Sequence, residues 1–129
     1  MIMKAVYLFF FIVLLGCSSN DDPKPVQNNA LFDTKWQTED IITKIIYGGE
    51  CYQVIHFKDN ENFEFYKTRN GQISSHDDEG TYSINEKVVT IKYMNSTTNK
   101  ETIANFDMIN SGTLVRNPKG TAYDTYVKQ

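Results

Sequence analysis

The sequence has little of four things, and each shortage removes a class of explanation. Cysteine occurs twice in 129 residues, at Cys17 and Cys51. That is too few for the disulfide framework of a small secreted scaffold, and neither cysteine has the paired partner of a zinc site. Lys and Arg number 13 against 16 Asp and Glu, and they gather in no run or patch. A nucleic-acid partner is therefore not expected. Apolar runs are short. The longest, Ala5 to Leu15, has eleven residues, where a membrane-spanning helix needs about 20. No segment holds a helical apolar stripe for three turns, which leaves strands as the main element.

What is present begins with Lys4 and the apolar run behind it, which has the length of a signal-peptide core. Leu14-Leu15-Gly16-Cys17 closes that run. The stretch resembles the lipobox of bacterial lipoproteins, where a small residue lets the peptidase approach and the cysteine supplies a thiol nucleophile. The resemblance implies cleavage after Gly16, a diacylglycerol on the Cys17 sulfur and acylation of the new amino terminus. Buried acyl chains at about 0.8 kcal/mol per CH₂ would then hold the chain on a membrane. Ser18-Ser19-Asn20-Asp21-Asp22-Pro23-Lys24-Pro25 is polar and aperiodic, so residues 17–30 read as a lipidated cysteine with a flexible tether. Asp21-Asp22 is similar to the export cue of surface lipoproteins in the Bacteroidetes, although a generic solvated linker explains the same two residues. The resemblance places the protein in the cell envelope, at the outer membrane.

Removal of residues 1–16 leaves 113, with 12 basic and 16 acidic side chains. Residues 31–129 make one domain of about 100 residues. With Cys17 modified, Cys51 is the only thiol, and it is expected to be a small buried apolar residue. Stability must come from burial, for which the chain has Trp36 and many Phe and Tyr residues.

From Thr34 onward the apolar residues recur with period two. Leu31 to Asp33 suits a short helical turn before the first strand. Thr34 to Tyr47, rich in isoleucine, reads as one long or broken strand. Gly48-Gly49 reads as a hairpin turn. Cys51 to Lys58 alternates, with Cys51, Gln53, Ile55 and Phe57 on one face and His56 on the exposed one. Asp59 to Asn62 turns the chain, and Phe63 and Phe65 share a face of the next strand. Asn70-Gly71 is a turn, followed by a polar loop through Glu79. Gly80 to Ile84, Val88 to Met94, Glu101 to Ile109, Thr113 to Arg116 and Thr121 to Lys128 complete about eight strands. Asn117-Pro118-Lys119-Gly120 is a turn in which proline pre-sets φ. Strands this short, joined this tightly, pair antiparallel, and closure into an up-and-down barrel removes both exposed edges.

The order of several motifs carries a family resemblance. Trp36 follows Leu31-Phe32-Asp33-Thr34-Lys35. Ile55-His56-Phe57-Lys58-Asp59-Asn60 precedes Phe63. Then come Gly80-Thr81-Tyr82-Ser83-Ile84, Val88-Val89-Thr90-Ile91, Thr113-Leu114-Val115 and Tyr126. Together they resemble the small lipocalin-like lipoproteins of Bacteroidetes, over Leu31 to the C-terminus. The resemblance implies a calyx-like antiparallel barrel with Trp36 plugging one end. Thr34 or Lys35 stands where the glycine of the longer lipocalin signature Gly-x-Trp is expected, so that signature is absent.

Trp36, Phe57, Phe65, Tyr82, Tyr93 and Phe106 are the candidate ligand-binding residues, since alternation points them to one shared interior. An eight-stranded barrel is either filled by side chains or holds one small ligand. His76-Asp77-Asp78-Glu79 lacks the glycine-punctuated spacing of a calcium loop and reads as a solvated hairpin, so no metal site is expected. No Gly-x-Ser-x-Gly elbow supports a nucleophilic triad, and no motif calls for a cofactor. The expectation is a non-enzymatic barrel that binds a small apolar ligand or a peptide. Its rival is a filled barrel that docks on an envelope protein, with an apolar patch near Gly48-Gly49 or Asn117 to Gly120.

Overall fold

A computed structural model of the protein describes residues 27–120 and 123–129. The expected signal peptide, the expected lipidation site Cys17 and all but the last residues of the expected tether lie outside the described residues. Among those residues the chain forms eight strands and one short helix. These are β1 (Thr34–Glu39), α1 (Ile41–Tyr47), β2 (Cys51–Phe57), β3 (Asn62–Arg69), β4 (Gln72–Asn85), β5 (Val88–Asn95), β6 (Lys100–Asn110), β7 (Thr113–Asn117) and β8 (Thr125–Lys128). Each strand pairs with its sequence neighbour, and β8 pairs back onto β1 through Trp36↔Lys128 and Gln37↔Val127. The expected closed antiparallel barrel is the observed one, and closure leaves no edge strand among these elements.

Period-two alternation places the core. Trp36 stands opposite Ile55, and Ile55 opposite Phe65. Tyr82 stands opposite Ile91, and Ile91 opposite Ala104. These residues and Leu31, Phe57, Phe63, Val89, Phe106, Leu114 and Tyr126 form one buried cluster. Each large apolar side chain fully withdrawn from water contributes about 1.5–3 kcal/mol, which is how a barrel without a disulfide holds together. Cys51 is buried, as expected of a small apolar residue.

The topology sorts the connections to two ends. Residues 28–33, the β2–β3 turn, the β4–β5 turn and the β6–β7 turn lie at one end. The helix α1, the β3–β4 turn, the β5–β6 turn and the segment before β8 lie at the other. The first end is closed. Leu31, with no exposed surface, sits beneath the turn that leads into β1, where the Thr34 N–H donates to the Leu31 carbonyl at 3.1 Å. Asn29 locks that turn down. Its N–H donates to Asn60 Oδ1 at 2.9 Å and its Nδ2 to Tyr82 Oη at 3.0 Å. Trp36 plugs this end with 1% exposure, and its indole N–H donates to Thr34 Oγ1 at 2.8 Å. Thr34 therefore supplies the acceptor that the buried indole needs.

Four expectations need correction. Thr34 to Tyr47 is not one strand: β1 stops at Glu39 and residues 41–47 are helical. Asp40 is the N-cap, its Oδ1 accepting from the Thr43 N–H at 3.1 Å, and Gly48 ends the helix at φ 71°. Cap chemistry overrides the β preference of four isoleucines. Gly48-Gly49 is consequently a helix terminus and not a hairpin turn. The polar segment through Glu79 is not a loop either. It is the first half of the 14-residue β4, which pairs with β3 from Arg69↔Gln72 to Asn62↔Thr81. Partner hydrogen bonds hold it extended without an apolar face. Finally, His56 is not fully exposed. Its ring lies between Glu64 Oε1 and Asp33 Oδ1, each 3.1 Å from a ring nitrogen, with 18% of the side chain accessible.

Candidate binding cavity

The open half of the barrel is not filled. A cavity of about 330 Å³ lies inside the end that carries α1. Its floor is Phe65, Ile91, Tyr93, Ala104 and Phe106. Phe65 and Tyr93 meet edge to face at 5.4 Å, and Phe106 meets Tyr126 in the same way at 5.7 Å. These contacts fix the rings and leave the space above them open. Its walls and rim are polar: Gln53, Lys67, Asp77, Asp78, Asn95, Ser96, Thr97, Arg116, Tyr123 and Tyr126. The volume falls at the small end of the range used by small-molecule pockets, about 300–1,000 Å³.

Strand register explains this division. Ala104 on β6 is the small residue opposite Ile91, and its missing bulk opens the floor. On β4 the register slips between Glu64↔Glu79 and Tyr66↔His76, so two residues, Asp77 and Asp78, stand opposite the single Phe65. A bulge re-aims side chains, and here it brings two carboxylates to the rim. Asp78 Oδ1 accepts the Ser96 N–H at 3.1 Å, and Asp77 Oδ1 accepts from Ser75 Oγ at 3.2 Å. On β7 Arg116 follows Leu114 by two positions, so it shares the inward face, opposite Phe106.

One buried carboxylate organises the rim. Asp40 has no exposed surface. It accepts from Thr43 Oγ1 at 2.6 Å and from Tyr123 Oη at 2.9 Å, and Lys67 Nζ lies 3.5 Å away. Burial pushes the Asp40 carboxyl up, but the Thr43 and Tyr123 hydrogen bonds and the Lys67 charge outweigh it and hold the group below the ordinary aspartate value. Tyr123 is pushed up to about 12, first by burial and then by its bond to Asp40. Burial also raises Tyr93 and strongly raises Tyr126, whose Oη donates to Gln53 Oε1 at 2.9 Å. The phenols around the cavity are thus neutral hydrogen-bond donors at physiological pH.

Of the six candidate residues, Phe65, Tyr93 and Phe106 line the cavity. Trp36, Phe57 and Tyr82 lie in the packed half, where Phe57 and Tyr82 meet at 4.7 Å and the Tyr82 hydroxyl donates to the Asp59 carbonyl. Sequence reasoning passed over the polar lining. Gln53 and Arg116 were readable from alternation with Ile55 and Leu114, whereas Tyr123 and the Asp77–Asp78 bulge had no local signal. Among the described residues no cluster of His, Cys, Asp and Glu is arranged to hold a metal.

No curated protein and no solved structure matches the chain. A match does come from the lipocalin-like domain, over residues 28–115, from the Asn29 clasp at the closed end to β7. A closed eight-stranded antiparallel barrel, a tryptophan plug at one end and a cavity at the other agree with that match, and the chain belongs to the family of lipocalin-like domains.

Proposed function

We propose that this is a non-enzymatic binding protein of the bacterial cell envelope, anchored by lipid on Cys17, that holds one small amphipathic molecule in its calyx. The observation that supports binding is the 330 Å³ cavity with an aromatic floor and a polar rim. Apolar matter gains by leaving water for the floor, while a polar end keeps hydrogen bonds at the mouth. Anchoring rests on Leu14-Leu15-Gly16-Cys17, and Asp21-Asp22 supports an outer-membrane, surface-directed lipoprotein of the Bacteroidetes kind.

A titration of the purified full chain with the neutral fluorophore N-phenyl-1-naphthylamine tests the cavity. The expected result is saturable one-to-one enhancement that weakens at least tenfold in Ala104→Trp, which fills the floor. Enhancement that never saturates, or that Ala104→Trp leaves intact, counts against it. For the anchor, Cys17→Ser should abolish metabolic labelling with palmitate and release the protein from the membrane fraction. Retained labelling would refute lipidation at that cysteine.

One observation favours a second reading, docking on an envelope protein. Ile41, Ile42, Ile45, Ile46 and Tyr47 of α1 are all more than half exposed, beside Gly48-Gly49. Photo-crosslinking from position 45 in intact cells would trap a partner under that reading and none under the first.

A further inference from the structure

Arg116 is the feature of the cavity that its neighbours do not account for. It points inward on β7, two positions from Leu114, which has no exposed surface, and it faces Phe106 across the β6–β7 ladder. Its side chain is half-buried. Among the described residues no carboxylate lies within ion-pair distance of its guanidinium, and its side chain makes no hydrogen bond. The other charged groups of the lining are already engaged. Lys67 faces Asp40 at 3.5 Å, Asp78 accepts the Ser96 N–H, and Asp77 accepts from Ser75. Both carboxylates sit on the β4 side of the rim, and Asp77 is exposed to water. A guanidinium presents five donors in a planar fork that matches a carboxylate, and partly burying it without an acceptor is unfavourable. It lines the same cavity as Tyr93 and Tyr126, and its charge opposes the rise that burial gives both phenols.

We propose that Arg116 selects the ligand: the calyx takes an amphiphile with an anionic carboxylate head, the head held by the Arg116 fork and the apolar body laid on Phe65, Ala104 and Phe106. This rests on the calyx reading above and narrows it to one ligand class. The same geometry disfavours a cationic head, because Asp77 is exposed to water and Asp78 already accepts the Ser96 N–H, while the charge without a partner is positive.

The test compares three probes of equal chain length on the purified full chain at neutral pH: decanoate, decanol and decylammonium, each displacing N-phenyl-1-naphthylamine. Decanoate should bind at least tenfold more tightly than either of the others. Arg116→Gln should collapse the decanoate-to-decanol ratio toward one, Arg116→Lys should restore part of it, and Lys87→Gln, which removes an exposed charge at the closed end, should leave the ratio in place. If decanol or decylammonium equals or exceeds decanoate, the Arg116 assignment is overturned and the calyx stands. If the fluorophore binds and none of the three displaces it, the Arg116 assignment is overturned; if the fluorophore itself shows no saturable binding, the calyx reading falls with it. The wild-type ratio decides the matter even if a variant fails to fold.

Discussion

The hydroxyl of Tyr123 donates to the buried carboxylate of Asp40 at 2.9 Å, across 83 residues of sequence. The bond ties the segment before β8 to the N-cap of α1, and Lys67 joins it from β3. Three elements at the open end are therefore held by one carboxylate. The mouth of the calyx keeps its shape by a polar clasp, since α1 itself buries no residue.

This clasp predicts a pH dependence with two limbs. The folded Asp40 value lies below 3.8, so its contribution is present above that pH and is lost as pH falls through and below it. Tyr123 is raised to about 12, so its contribution is complete below the unfolded value of 10 and is lost as pH rises from 10 through 12. Urea midpoints against pH should fall on both sides. Tyr123→Phe should make the alkaline limb shallower without removing it, because Tyr126 and Tyr93 are raised as well, and should lower stability at neutral pH by about 1–3 kcal/mol, the cost of a lost partner to a buried charge. Asp40→Ala should cost about 2 kcal/mol by removing cap and clasp together.

The closed end predicts a different response. Trp36 is the only tryptophan, so its fluorescence reports the plug directly. Trp36→Ala should cost about 3–5 kcal/mol. Thr34→Val keeps the shape but leaves the indole N–H without its acceptor, and should cost about 1–3 kcal/mol. The check is chemical denaturation by circular dichroism, with the Thr34→Val emission followed in parallel. A neutral Thr34→Val would mean that water reaches the indole.

Gly80 predicts a backbone clash. A Cβ there would meet the Lys92 carbonyl oxygen at 2.1 Å and Tyr93 Cβ at 2.9 Å. The β4–β5 ladder approaches that closely only because position 80 has no side chain. Gly80→Ala should lower the melting temperature by an amount equivalent to about 1–3 kcal/mol or more. Because Tyr93 lines the cavity, it should also weaken N-phenyl-1-naphthylamine binding.

The helix α1 predicts near-silence in stability. Ile45 and Ile46 are 78% and 64% exposed. Ile45→Ser and Ile46→Ser should each shift unfolding free energy by no more than about 0.5 kcal/mol, measured by urea titration. A loss of several kcal/mol would show that these side chains are covered in solution.

The architecture was legible in the sequence because alternation is local. Trp36, Ile55, Phe57, Phe65, Tyr82, Ile91 and Phe106 declare an inward face by their spacing alone, and short polar turns between them impose antiparallel neighbours and a closed barrel. The helix carried a local signal as well. Asp40 three residues before Thr43, and isoleucines at 41, 42, 45 and 46, fit a cap and a 3.6-residue period, but the β-branched composition pointed the other way. What only the tertiary structure decided is where the interior is full and where it is empty. Period-two spacing gives a residue's face and not its height in the barrel, so Trp36, Phe57 and Tyr82 looked equivalent to Phe65, Tyr93 and Phe106. Their division into plug and cavity floor depends on strand stagger, on the small Ala104 opposite Ile91, and on the register slip that turns Asp77 and Asp78 to the rim. The long β4 is the clearest case. Gln72 to Glu79 has no apolar pattern to read, and it is a strand because β3 offers it a ladder of hydrogen bonds, a partner that only the folded chain supplies.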